Sequence, residues 1–92
     1  AIVFEAKHTE GDRIKNSRIT EEQAKALNRH QKMGALCFVL VSIQFRLFAF
    51  VPWEVWTQMQ KRFKHLHMTE KDLAPYRVDF NGRIVQFLKG VV

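Results

Sequence analysis

Apolar and polar positions along the chain divide it into short strands and two helical stretches. The opening run AIVFEAK reads as a strand, with Ile2, Phe4 and Ala6 on one face and Val3, Glu5 and Lys7 on the other. The next run, HTEGDRIKNSR, is polar, charged and broken by Gly11, which predicts an exposed, mobile loop. A helix should then open at Thr20, a good N-cap. Gln23 stands three residues on, as in a capping box, and Glu21 and Glu22 complement the positive end of the helix dipole. It should run through Lys32 or Met33 and stop at Gly34. Ala24, Leu27 and Gln31 share one face, leaving Lys25, Arg29 and Lys32 wet.

ALCFVLVSI is a near-continuous apolar run rich in β-branched and aromatic residues, which predicts a strand covered on both faces at the centre of the core. FRLFAFV should return antiparallel beside it, with Phe48 and Phe50 on one face. Pro52 opens a second helix, along which Trp53, Trp56, Met59, Phe63 and Leu66 recur at helical spacing as a core stripe. Gln58, Lys61, Arg62 and His65 occupy its outer side, a solvated face or a phosphate-contacting one. YRVDF, Asn81–Gly82 and RIVQFL predict a closing hairpin with a two-residue type I′ turn. The order β-α-β-β-α-β-β gives an α/β fold with a mixed sheet and two main helices. It contains no internal repeat and no glycine-rich phosphate loop.

At 92 residues and 47% hydrophobic content, the chain suits a single domain over residues 1–92 with an adequate core. It opens in a strand-like run without Met, which reads as a fragment, a processed product or half of a split domain. A net charge of +6 favours a polyanionic partner, although many proteins that never touch nucleic acid share it. The single Cys37 excludes an internal disulfide framework and fits a reducing, cytoplasmic setting. No signal peptide is visible, and the longest apolar run, Ala35 to Ile43, is about half of a membrane span, so a membrane partner is not expected.

Charge on an apolar strand asks for a reason. Glu5 and Lys7 look into the same space about 7 Å apart. A carboxylate that ligates a divalent cation, beside an ammonium that orients water or neutralises a scissile phosphate, is a phosphodiesterase arrangement. The Ala6 carbonyl between them offers the same metal a second oxygen. The alternative is an edge strand that ends in a solvated ion pair worth about 0.5 kcal/mol.

FEAK, the polar loop after it, the helix opening Thr-Glu-Glu-Gln and the strand GALCFVLVS together resemble the second half of RecU-type Holliday junction resolvases, in the PD-(D/E)xK nuclease superfamily. The likeness extends through VPWEVW to about Tyr76 and is looser in the last hairpin. It implies a restriction-endonuclease-like core and catalytic roles for Glu5 and Lys7, supported by Gln23. Glu5 and the Ala6 carbonyl would hold Mg²⁺ or Mn²⁺. The implied partner is branched DNA, cut by a homodimer, with Lys15, Arg18, Arg29 and Lys32 on backbone phosphates. The family also uses an Asp on the preceding strand, an acidic residue on an earlier helix and a DNA-engaging stalk, none of which this sequence contains. The core would therefore lack its N-terminal elements; Asp12 is too close in sequence to replace that Asp by strand pairing, but its place on a mobile loop keeps it a candidate.

Two other classes fit the same residues. One is a non-catalytic nucleic-acid-binding or assembly module that kept the nuclease core, and the other is a small basic α/β domain with a protein partner. His8 directly follows the motif and His30 is isolated. His65 and His67, two apart on a predicted helix, should diverge rather than chelate a metal.

Overall fold

A computed structural model of the chain describes residues 1–79. Within them a four-stranded mixed sheet runs in the order β1 (Ile2–Thr9), β3 (Leu36–Ile43), β4 (Leu47–Pro52), β6 (Arg77–Val78). A second, two-stranded sheet joins β2 (Arg13–Lys15) to β5 (His67–Thr69). The α-helices are α1 (Glu21–Lys32), α2 (Trp53–Thr57), α3 (Met59–Phe63) and α4 (Glu70–Leu73). This is the mixed α/β class that the element order predicts.

Parallel strands need a long connection, and α1 supplies it between β1 and β3, which pair from Ile2↔Leu36 to Thr9↔Ile43. The helix starts where the sequence says it should. Thr20 Oγ1 accepts from the Gln23 N–H at 3.2 Å, and Gln23 Oε1 accepts from the Thr20 N–H at 3.0 Å. Met33 caps the other end, and Gly34 follows at φ 93°, a backbone region in which a Cβ is costly.

Alternation sorts the sheet into two unlike faces. Cys37, Val39, Val41 and Ile43 of β3, with Leu47, Ala49 and Val51 of β4, form the main core together with Leu27, Trp53, Trp56, Met59, Met68 and Leu73. Burial of each large side chain contributes about 1.5–3 kcal/mol, so this face carries most of the stability. On the opposite face Leu40 and Phe48 are buried beneath Ala6, Phe45, Phe50 and Val78. Phe50 stacks on Phe38 with ring centroids 4.1 Å apart and meets Phe4 edge-on at 5.7 Å. That face opens toward the start of β1, where Ile2 and Leu36 are 62% exposed and Phe4 45%. The central strand is thus covered on both faces only along its second half.

Three local expectations give way. The predicted mobile loop after β1 is structured: β1 runs on to Thr9, and Arg13-Ile14-Lys15 pairs antiparallel with β5 while Ile14 enters the core at 1% exposure. The second helix is not continuous. It breaks at Gln58 into α2 and α3 and ends at Lys64, a left-handed cap at φ 67°, which leaves Leu66 off the stripe and 57% exposed. His65 and His67 consequently lie beyond the helix, and their rings stack at 3.9 Å instead of diverging. On α1, Gln31 is exposed and Ala24, not Gln31, packs beside Leu27. The predicted strand YRVDF appears in part as β6, which pairs antiparallel with β4, and the Asn81–Gly82 turn and second strand of the predicted hairpin lie outside the described residues.

The β3–β4 hairpin closes through Gln44 and Phe45, both at positive φ (56° and 52°), with the Arg46 N–H donating to the Ile43 carbonyl at 2.9 Å. Non-glycine residues pay for that conformation, and local contacts hold them there. Gln44 N–H donates to the Thr9 carbonyl at 2.8 Å, and its amide reaches the Glu10 and Gly11 carbonyls at 3.2 and 3.4 Å. Phe45 N–H donates to Ser42 Oγ at 3.2 Å, and its ring stacks on His8 at 3.9 Å. The turn therefore clamps the end of β1.

Candidate functional site

β1 is an edge strand of the larger sheet. Its inner backbone groups are spoken for: the Leu36 N–H donates to the Ala1 carbonyl at 2.9 Å and the Gln44 N–H to the Thr9 carbonyl at 2.8 Å. Between these two bonds the parallel register alternates, so odd-numbered residues of β1 bond to β3 and even-numbered ones face the open edge. Ala6 is even-numbered. Its carbonyl therefore points out of the sheet and has no backbone partner among the described residues.

Glu5 and Lys7 stand on the helix-bearing face, in line with Val3, which packs against the main core. They lie opposite Val39 and Val41, both fully buried, in the register of the parallel pair. Each is half-buried, and neither has an ion-pair or hydrogen-bond partner among the described residues. Two opposite charges on one face, set against an apolar floor and left unpaired, do not form the solvated ion pair of the structural alternative. They remain available to a third group.

A hard cation fits the oxygens offered here, one carboxylate and one peptide carbonyl. Mg²⁺ retains several waters and needs only one or two carboxylates, yet two protein oxygens are a partial set. No group of three or more His, Cys, Asp or Glu that could hold a metal ion occurs among the described residues. Asp12 is turned to its neighbour: Arg13 Nε meets Asp12 Oδ1 at 3.0 Å and holds the carboxyl below its ordinary range.

Gln23 lies at the head of α1, with its carboxamide oxygen committed to the capping box. Its amide N–H₂ and the second lone pair of that oxygen remain for a further contact. The expected DNA-contacting cations separate into two groups. Lys15 and Arg18 line, with Thr9, Arg13 and Ile14, a recess of about 250 Å³ beside the end of β1. Arg29 and Lys32 occupy the last turn of α1, at the far end of a helix about 18 Å long.

Arg13 and Thr9 belong to the recess and were not singled out from the sequence. The Arg13-Ile14-Lys15 alternation, polar-apolar-polar, was the available signal, because period two places Arg13 and Lys15 together opposite the buried Ile14. On the reverse side of β1, His8 Nδ1 lies 3.0 Å from Ser42 Oγ and Nε2 lies 3.0 Å from Glu10. This faces away from Glu5 and Lys7, so His8 steadies the strand and does not enter the site. His65 and His67 gather with Arg13 and Asp72: Arg13 is 3.3 Å from His67 Nε2, and His65 Nε2 is 3.5 Å from Asp72. Burial, with His65 and Arg13 nearby, pushes His67 below the usual histidine range.

No helix among the described residues is long and apolar enough to cross a membrane. No curated protein matches the chain. A family model described as Recombination protein U matches residues 1–91, essentially the whole sequence. That family carries a Holliday junction resolvase role, a nuclease-type function in recombination that makes DNA junctions its partner. Its match covers the Glu5–Lys7 strand, the recess and the crossover helix alike, and the chain belongs to the RecU family.

Proposed function

We propose that this chain carries the Glu-x-Lys half of a metal-dependent endonuclease site, which nicks branched DNA as a homodimer. The observation that carries the reading is the pair Glu5 and Lys7, half-buried and unpaired on one face, with the Ala6 carbonyl facing the open edge beside them. Glu5 and the Ala6 carbonyl would hold Mg²⁺ or Mn²⁺, which would supply Lewis-acid polarisation of a phosphodiester and a more acidic water. Lys7 orients the attacking water or meets the negative charge that grows on the phosphoryl oxygens. The water oxygen bonds to phosphorus, one P–O ester bond breaks, and the departing oxygen takes a proton. Gln23 donates through its amide N–H₂ to a phosphate oxygen, or accepts from the Lys7 ammonium through the second lone pair of its carboxamide oxygen. Arg29 and Lys32 meet backbone phosphates farther along the duplex.

The resemblance assigns a second carboxylate to a strand beside this one. The edge of β1, open among the described residues, would suit it, since the outward N–H and C=O groups of Phe4, Ala6 and His8 match a strand's needs. A second reading has its own support: with no group of three or more His, Cys, Asp or Glu placed to hold a metal ion among the described residues, the chain alone is a nucleic-acid-binding module with a nuclease core.

Nicking of a synthetic four-way junction in Mg²⁺ separates the two. The endonuclease reading expects cleavage by the unaltered protein, and a loss of at least about 100-fold in Glu5→Gln with junction binding retained. Binding without cleavage by the unaltered protein supports the binding module and overturns the nuclease assignment.

A further inference from the structure

The recess at the end of β1 is built unlike the rest of the surface. Its floor is Ile14, at 1% exposure, and its walls are Thr9, Arg13, Lys15 and Arg18, with no carboxylate lining it. The three cations are not equivalent. Arg13 is already engaged, by Asp12 at 3.0 Å and His67 Nε2 at 3.3 Å. Lys15 and Arg18 have no ionic partner among the described residues. Thr9 adds a donor, because Gly11 N–H donates to Thr9 Oγ1 at 3.1 Å and so fixes the rotamer while leaving the hydroxyl proton free. At about 250 Å³ the recess has room for a phosphate group with part of its water shell.

Position decides which phosphate. Thr9 follows Glu5 and Lys7 on the same face of one strand, so the recess lies about 7 Å beyond Lys7, a step of the order of one nucleotide. We propose that this recess is a subsite for the DNA backbone phosphate next to the one held at Glu5 and Lys7, gripped by Lys15, Arg18 and the Thr9 hydroxyl. Arg13 is the recess's positioning residue. Tied to Asp12 and His67, it fixes β2 and leaves the phosphate to its neighbours. This inference rests on the endonuclease reading for the order of the two phosphates but not for the existence of the subsite. A strand held at two successive phosphates cannot slide, which fixes the bond that meets Lys7.

Single neutral methylphosphonates, placed in turn at each phosphate around the branch of a synthetic four-way junction, test this in a Glu5→Gln background that binds without cutting. One position should weaken binding about fivefold to tenfold through loss of a charge-assisted contact. In Lys15→Gln/Arg18→Gln the same substitution should cost less than about twofold. The salt dependence of log Kd in that variant should be shallower by about two charges' worth. Lys25→Gln, an exposed change on α1, should leave the positional pattern intact. With the cutting protein, the sensitive phosphate should be the neighbour of the nicked one. Equal methylphosphonate sensitivity with and without Lys15 and Arg18, or weakening spread evenly over all positions, overturns the subsite even where nicking proceeds. A coupled position found in a protein that never nicks keeps the subsite and removes only the nuclease reading.

Discussion

Ile14→Ala asks whether the stretch after β1 is a loop or part of the core. The Ile14 side chain is 1% exposed, sits in the main core cluster and pairs opposite Met68, itself fully buried. Truncation removes three methylene-sized groups, a transfer loss of about 2.4 kcal/mol at ~0.8 kcal/mol each. Met68 and its neighbours cannot close the space, because β2 is pinned to β5 on one side, so the cavity left behind raises the cost to about 3–4 kcal/mol. Urea unfolding followed by tryptophan fluorescence reads this directly, as a lowered midpoint with an unchanged slope. Ile14→Val should cost about 1 kcal/mol in the same assay. A loss below about 0.5 kcal/mol for Ile14→Ala is what a surface loop gives and would refute the packed strand. The same variant should also weaken junction binding, since Ile14 is the floor on which Lys15 and Arg18 are held.

Other outcomes follow from single contacts. Trp53→Phe removes the 2.8 Å indole N–H bond to Asn28 Oδ1 between α2 and α1 and should cost about 1–2 kcal/mol in urea unfolding, with nicking unaffected. The Arg46 guanidinium, 2.6 Å from the carboxylate, holds Glu70 below the ordinary glutamate range. Its contribution to stability is therefore complete above the unfolded-state value and lost as pH falls through the lower folded value. Carboxyl NMR should show Glu70 titrating late on acidification, and Arg46→Met should return it to the ordinary range. His67 is depressed as well, so its neutral form is favoured in the fold, and stability should decline as pH falls from the unfolded histidine value through the folded one. His67→Gln should flatten that limb of the stability–pH curve.

Where the chain advertised its structure, it did so through local chemistry. Thr20, Gln23 and Gly34 mark the ends of α1 because caps act within one turn, and the apolar run of β3 admits no other reading. The residues after Gly11 were misleading for the opposite reason. A three-residue strand has too little period to stand out, and the pairing of Arg13 with Thr69 spans a separation that no local pattern encodes. Gln58 shows a similar limit, as the apolar spacing from Trp53 to Leu66 continues smoothly across a break that packing imposes. In the site, alternation alone placed Glu5 with Lys7 and turned Ala6 away. The division of four cations between the recess and the far end of α1 needed the crossover to be seen.

The outward rim of β1 also carries a liability. Among the described residues the N–H and C=O groups of Phe4, Ala6 and His8 meet no neighbouring strand, and a bare rim of this kind templates pairing with other chains. Exposed Ile2 and Phe4 on the same strand add an apolar contact to that tendency, so crowding favours edge-to-edge association of this protein.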